Sequence, residues 1–123
     1  MNYAYIDTNA FLTLANGSRL LEAIHKQLPY YTAIVLDGVQ TELQKIGQGS
    51  SKDARAAKLA LDIIQKQHLK TQEHSQPYVD TALVEIATSN DAIITLDKEL
   101  QKRARKASIP VFTISRRRIV QVA

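Results

Sequence analysis

The chain has 123 residues, 45% of them hydrophobic and 23% charged, which suits one globular domain over residues 1–123 with a single buried core. It contains no cysteine, which excludes disulfides, a thiolate nucleophile and a zinc ribbon and leaves oxygen and imidazole as metal donors. The net charge of +4 is uneven: residues 98–123 hold eight Lys/Arg against one acid, residues 1–97 eight against eleven, so one end is a cationic patch of the kind a polyanion attracts. No apolar run approaches a membrane span, and the N-terminus lacks the basic-then-apolar pattern of a signal peptide, so a cytoplasmic location is expected.

Residues 3–6, with Tyr3, Tyr5 and Ile6, predict a short buried strand that ends on Asp7. Asn9 is placed to hydrogen-bond that carboxylate. Residues 10–15 predict a helix, broken at Asn16-Gly17-Ser18. Ser18 is a cap for a second helix over 19–27, with Leu20, Leu21 and Ile24 as its apolar stripe. Leu28-Pro29 ends it, and 31–36 predicts a second buried strand. Asp37 with Gln40 three residues on reads as a capping box, which sets Glu42 in the second turn with its side chain directed back towards the strand ends.

Gly47-Gln48-Gly49-Ser50-Ser51 is a flexible stretch without the Gly-Lys-Ser/Thr signature of a phosphate-binding loop. A helix over 52–67 follows, with Ala56, Leu59, Ala60, Ile63 and Ile64 as its expected core face. A short strand over 68–71 and a polar, irregular 72–77 lead to an amphipathic helix over 79–87. There Leu83, Ile86 and Ala87 share a face and Asp80 sits in the first turn, where the helix dipole favours a carboxylate. Ser89-Asn90-Asp91 reads as a turn, with Asp91 a turn former. Residues 92–95 predict a strand ending at Thr95-Leu96-Asp97, then a basic helix over 98–107. A strand over 110–114 follows. Arg116-Arg117-Arg118 precedes a final 119–122, an edge strand or an extension. Strands alternating with helices predict an α/β fold: a three-layer α/β/α sandwich around a mainly parallel sheet.

Four carboxylates then fall at comparable places. Asp7 and Asp97 follow strands; Glu42 and Asp80 sit near the starts of helices. In a parallel sheet these positions gather at one edge, where ligands of such folds bind. Each acid alone is more readily a helix cap or a solvent-facing side chain than a ligand, but four caps need not converge on one edge. Four carboxylates in one cleft repel one another unless a cation neutralises them. Hard ions such as Mg²⁺ or Mn²⁺, one or two of them, prefer oxygen donors and keep waters and phosphate oxygens in their shell. Such ions activate water and stabilise charge on a phosphodiester, and the adjacent basic helix suits a nucleic-acid backbone. Asp7 is followed by Thr8-Asn9 and not by a second Asp two residues on, which separates it from haloacid-type phosphatases.

Ile6-Asp7-Thr8-Asn9, Thr41-Glu42-Leu43, Val79-Asp80-Thr81-Ala82-Leu83 and Ile94-Thr95-Leu96-Asp97-Lys98-Glu99-Leu100, in this order and at this length, resemble the PIN-domain ribonucleases. The resemblance implies divalent-metal-dependent hydrolysis of single-stranded RNA. Asp7, Glu42, Asp80 and Asp97 become the expected metal ligands and catalytic acids, with Asn9 and Thr95 supporting them from behind. Lys98, Lys102, Arg103, Arg116, Arg117 and Arg118 become the expected RNA-binding groups.

Lys52-Asp53-Ala54-Arg55-Ala56-Ala57, the run from Leu96 to Arg103, and Ile109-Pro110-Val111 look like the archaeal relatives of the small-subunit processome nuclease, which implies a pre-ribosomal RNA partner. The VapC toxins of toxin–antitoxin pairs are the alternative branch. They often carry an aromatic residue after the last acids, where this chain has Leu100, and would bring an antitoxin partner. An RNA-binding assembly factor without catalysis is the third reading. Relatives are commonly homodimers, and no attached zinc ribbon or RNA-binding module is expected. His25, His68 and His74 read as surface or packing residues. Tyr78, near Asp80, is a candidate for stacking on a base.

Overall fold

A computed structural model describes residues 2–15 and 20–122. Strands β1 (Asn2–Ile6), β2 (Tyr31–Leu36), β3 (Lys70–Gln72), β4 (Ala92–Ile94), β5 (Val111–Ser115) and β6 (Arg118–Gln121) form one sheet in the order β3-β2-β1-β4-β5-β6. All neighbours are parallel except β5 and β6. The order reverses between β1 and β4, and at such a switch point the loops leaving two adjacent strands diverge and open a crevice.

The helices are α1 (Thr8–Ala15), α2 (Leu20–Gln27), α3 (Asp37–Ile46), α4 (Lys52–Lys66), α5 (Val79–Ile86) and α6 (Lys98–Lys106). α1, α3 and α4 pack on one another, as do α5 and α6, so the sheet is the middle of a three-layer α/β/α sandwich, as the sequence implied. Both faces of the central strands are therefore covered. Ala4, Tyr5 and Ile6 of β1 and Ala92, Ile93 and Ile94 of β4 are all buried, which explains their unbroken apolar runs. The strand at the β3 edge is short and polar, Lys70-Thr71-Gln72, and so a poor template for further pairing. Among the described residues no helix is long and apolar enough to cross a membrane.

Several local expectations are corrected. α1 begins at Thr8, directly after β1, two residues earlier than the apolar pattern indicated. The capping box of Asp37 and Gln40 does not form. β2 runs straight into α3, so Leu36 takes the N-cap position and Asp37 is already the first helical residue. Asp37 instead faces His74, whose Nε2 lies 3.1 Å from its Oδ1 without the alignment of a hydrogen bond. On α4 the buried stripe is Ala54, Ala56, Ala57, Ala60 and Ile64, while Leu59 is 41% exposed and Ile63 only partly buried. The alanines let α4 approach α1 and α3 closely, which a stripe built on Leu59 and Ile63 does not allow. Ser51 does cap α4, its Oγ accepting from the Ala54 amide at 3.1 Å. The break at Asn16-Gly17-Ser18 and the cap expected of Ser18 lie outside the described residues.

The chain end resolves to a strand. β6 folds back on β5 through a two-residue turn in which Arg116 and Arg117 have φ of 51° and 65°. This left-handed pair is the hairpin geometry that Asn-Gly usually fills.

Asp91 is the turn former anticipated, and it does more. Its Oδ2 accepts from the Thr88 amide and hydroxyl at 2.8 and 3.0 Å, and its Oδ1 from the Tyr3 amide at 2.9 Å, so the turn entering β4 is fastened to β1. Only 5% of Asp91 is exposed. Asp91→Ala leaves three donors, the Tyr3 amide and the Thr88 amide and hydroxyl, without their acceptor at a partly buried turn and is expected to lower stability by about 1–2 kcal/mol in urea unfolding. A loss under about 0.5 kcal/mol, the range of ordinary surface changes, contradicts this role.

Candidate active site

The parallel strands end at one edge, and the four acids are delivered there from different elements. Asp7 leaves β1, Glu42 projects from α3, Asp80 sits in the first turn of α5, and Asp97 precedes α6. All four line one cavity of about 630 Å³ at the β1–β4 switch, together with Thr8, Asn9, Asp37, Gly38, Lys45, Pro77 and Tyr78 among others.

Asp7 is the buried member, 8% exposed. Its Oδ1 accepts from the Thr8 amide at 2.9 Å and its Oδ2 from the Thr95 hydroxyl at 2.7 Å. Thr8 Oγ1 donates in turn to Glu42 Oε1 at 2.9 Å, and Thr95 Oγ1 accepts from the Asp97 amide at 3.1 Å. Gln101, also buried, donates from Nε2 to the Thr95 carbonyl at 2.9 Å. One hydrogen-bonded chain thus runs from Glu42 through Thr8, Asp7 and Thr95 to the backbone of Asp97. The Thr95 hydroxyl thus bonds directly to the Asp7 carboxylate. Asn9 does not hold Asp7: its Oδ1 accepts from the Leu96 amide at 3.0 Å and so fastens α1 to the loop after β4.

The cap and ligand readings of Asp97 are compatible. Its Oδ1 accepts from the Glu99 and Leu100 amides at 2.9 and 3.2 Å, capping α6. Among the described residues, Oδ2 of Asp97 and Oε2 of Glu42 have no hydrogen-bond donor from the protein. Asp80, like Asp7, has both oxygens engaged. Its Oδ1 accepts from the Thr81 amide at 2.9 Å, and its Oδ2 pairs with Arg103 Nη1 at 3.1 Å, while Arg103 Nη2 donates to Thr81 Oγ1. Arg103, expected on nucleic acid, is therefore tied to an acid of the cleft. The pair is partly exposed, so it is weak and readily exchanged.

The other basic groups divide. Lys102, Arg103, Arg105 and Lys106 line a groove on α6 with Glu99. Arg116 and Arg117 stand at the β5–β6 turn, at the same strand-end edge but two strands beyond β1, and Arg118 begins β6. Lys98 opens α6. Lys45, on α3 three residues after Glu42, lines the acidic cavity itself. Sequence reasoning passed over Lys45, Thr8 and Gln101. Lys45 was findable, since i and i+3 share a helix face.

Burial pushes the Asp7 carboxyl above its ordinary range. The Thr95 and Thr8 hydrogen bonds pull it down, and the charges of Glu42 and Asp97 push it up again. Among the described residues no three acids or histidines close into a tight cage for an ion. The all-oxygen donors and the crowding of like charge around Asp7 instead fit a cation that keeps much of its water, as Mg²⁺ does.

An α/β domain with carboxylates gathered at its switch point is the class that fold and cleft define. Residues 4–118 match the PIN-like domain family, and the chain belongs to it. The structure is similar to that described as the PIN domain endonuclease Utp24, with a TM-score of 0.77 and 25% identity over 97% of this chain and 90% of that one. It also shares its fold with a domain of a functionally unknown protein from Methanocaldococcus jannaschii DSM 2661, with a TM-score of 0.64 and 14% identity over 94% of this chain and 92% of that one. No curated protein matches the sequence.

The Asp7 shift has a consequence for stability. A raised carboxyl means that the folded state holds its proton more tightly than the unfolded chain. The resulting stabilisation is complete below the unfolded value, about 3.9, and is lost as pH rises through the folded one. At neutral pH the ionised group therefore weakens the metal-free fold. Asp7→Asn is expected to be more stable than wild type at pH 7 without divalent ions, with the difference shrinking as pH falls towards about 4. Denaturant midpoints across that range check it, and a wild type more stable than the variant at pH 7 contradicts it.

Proposed function

We propose that the protein is a divalent-metal-dependent endoribonuclease acting on single-stranded stretches of RNA, and that its substrate is a ribosomal RNA precursor. The observation that carries the reading is the hydrogen-bonded chain joining Glu42, Asp7 and Asp97 at the β1–β4 switch, which orients carboxylates that would otherwise turn away from one another. Membership of the PIN-like family and the likeness to Utp24 support hydrolysis of a phosphodiester. The sequence resemblance to the archaeal relatives of the processome nuclease supports the ribosomal substrate over a toxin's.

Asp7, Glu42, Asp80 and Asp97 are the residues that would hold Mg²⁺ or Mn²⁺. When bound, the ion supplies Lewis-acid charge at the phosphodiester and makes water a competent nucleophile at neutral pH. The protein's part is orientation. Thr8 and Thr95 fix the Asp7 carboxylate, Thr8 fixes Glu42, and the α6 amides fix one oxygen of Asp97 so that the other is free to face the cleft. Lys45 offers positive charge to a backbone phosphate inside the cavity, and the α6 groove offers more outside it. Arg103 pairs with Asp80 and offsets part of its charge.

One other reading has an observation in its favour. Asp97 caps α6, and Asp80 is already paired, so an RNA-binding protein without hydrolysis also accounts for those two acids. Cleavage assays separate the two. With Mn²⁺ or Mg²⁺, wild type is expected to cut single-stranded RNA to 5′-phosphate and 3′-hydroxyl ends, because water and not the ribose 2′-hydroxyl attacks. Asp7→Asn and Asp97→Asn are each expected to lower the rate at least about a hundredfold. Cyclic-phosphate ends, or full activity in either variant, contradict the assignment. Binding that ignores both metal and the substitutions, with no cleavage, favours the binding protein.

The α6 groove gives a graded outcome. Lys102→Ala together with Lys106→Ala is expected to flatten the dependence of log affinity on log salt by about one unit for each phosphate that is no longer neutralised. An unchanged slope places the strand elsewhere.

A further inference from the structure

We propose that Tyr78 is a stacking platform for one unpaired nucleobase of the RNA strand held at the acidic cavity, and that this contact selects single-stranded substrate. The proposal rests on the RNA reading above and adds a subsite to it.

Four large apolar side chains are strongly exposed among the described residues: Tyr30, Leu59, Tyr78 and Val120. Scattered exposed side chains need no explanation. Tyr78 differs in its position. It is 69% exposed, it lines the same cavity as the four acids, and it stands two residues before Asp80. The ring pairs among the described residues, Tyr3 with Tyr5 and Tyr31 with Phe112, do not include it, so its face is open.

The ring also stands on a fixed base. Tyr78 is the N-cap of α5, extended at φ −104° and ψ 125°, and its carbonyl accepts from the Ala82 amide at 3.0 Å. Pro77 before it has a locked φ. Upstream, the His74 side chain is only 7% exposed and is pressed against the first turn of α3. A Cβ on Gly38 would lie 2.7 Å from His74 Nε2 and 2.9 Å from Val79 Cγ2, so glycine is what permits the 74–79 segment to close on α3. The His74 ring nitrogens are buried and make no aligned hydrogen bond, with Nε2 set 3.1 Å from Asp37 Oδ1 on α3. Segment 74–79 is thus clasped to α3 from both sides of Tyr78, and the ring is exposed without being loose. A preorganised aromatic face gives up little freedom on binding.

The chemistry of the cavity selects the ligand. Carboxylates that would hold a cation suit the phosphodiester. The flat apolar face beside them matches the base of an adjoining nucleotide, and stacking of this kind tolerates any base. In a duplex each base is already covered above and below, so only an unpaired strand can offer the contact.

The test places the fluorescent base 2-aminopurine at successive positions of a single-stranded RNA and follows its emission on binding. Asp7→Asn protein is used, so that the strand stays uncut. Emission is expected to change at one or two adjacent positions, to change equally with Tyr78→Phe added, and to lose that change with Tyr78→Ala. Affinity should fall about tenfold or more with Tyr78→Ala, while the annealed duplex shows neither effect. Gly38→Ala, which pushes His74 and Val79 off α3, is expected to reduce the same signal with Tyr78 intact. An emission change that survives Tyr78→Ala, or RNA binding with no change at any position, overturns the platform and leaves the nuclease reading standing. Failure of wild type to bind any RNA overturns the RNA reading, and the platform with it.

Discussion

The arrangement depends on one buried anion. Asp7 sits where β1 stops and α1 starts, and its two oxygens face different parts of the chain: one meets the amide of its neighbour Thr8, the other the hydroxyl of Thr95 at the end of β4. Its own amide donates to the Ile94 carbonyl at 3.0 Å, extending the β1–β4 pairing by one step past the strand. The same few atoms therefore close the sheet at its switch point and aim a carboxylate into the crevice. Burial and the charges of Glu42 and Asp97 oppose its ionisation, and the two hydrogen bonds only partly compensate. A domain optimised for stability alone would place a neutral residue there.

The positive charge is distributed at three distances from that anion. Lys45 lines the acidic cavity, Arg103 makes an exchangeable pair with Asp80, and the α6 groove carries Lys102, Arg105 and Lys106. The β5–β6 turn adds a fourth group under unusual conditions. Left-handed φ at a non-glycine residue costs about 1 kcal/mol or more, and here two consecutive arginines adopt it. A turn whose only task was to reverse the chain would use Asn-Gly. The choice of arginine at both central positions keeps two guanidinium groups at the edge where the acids lie.

Much of the fold was legible because its central strands are covered on both faces. Ala92-Ile93-Ile94 and Ile34-Val35-Leu36 have no reason to be apolar at every position otherwise. The acids were legible for a related reason, as carboxylates recurring where strands give way to helices. What escaped notice lacked a local signal. Thr8 and Gln101 look like ordinary helical residues until Glu42 and the Thr95 carbonyl arrive from elsewhere. Asn9 was assigned to its neighbour in sequence, yet it bonds to Leu96 across the β1–β4 seam. The turn at Arg116 and Arg117, and the left-handed residues His68 and Ser108 that follow α4 and α6, gave no warning because glycine is absent from all four. On α4 the expected Ala56, Ala60 and Ile64 are buried, but Leu59 and Ile63 are displaced by Ala54 and Ala57, because close helix packing favours the smallest side chain over the most hydrophobic.

The seam between β1 and β4 also sets an order of events during synthesis. Asp7, Glu42 and Asp80 leave the ribosome before Thr95 does, and β4, which must pair with β1, lies between strands that emerge far apart in time. Until β4 takes its place the Asp7 carboxylate lacks its second hydrogen bond and Asp97 lacks its position. A partly made chain therefore carries most of the acids of the cleft but lacks the contacts that β4 and Thr95 supply. The cleft takes its full shape only when the sheet closes, so its assembly is tied to one of the last strands to be made.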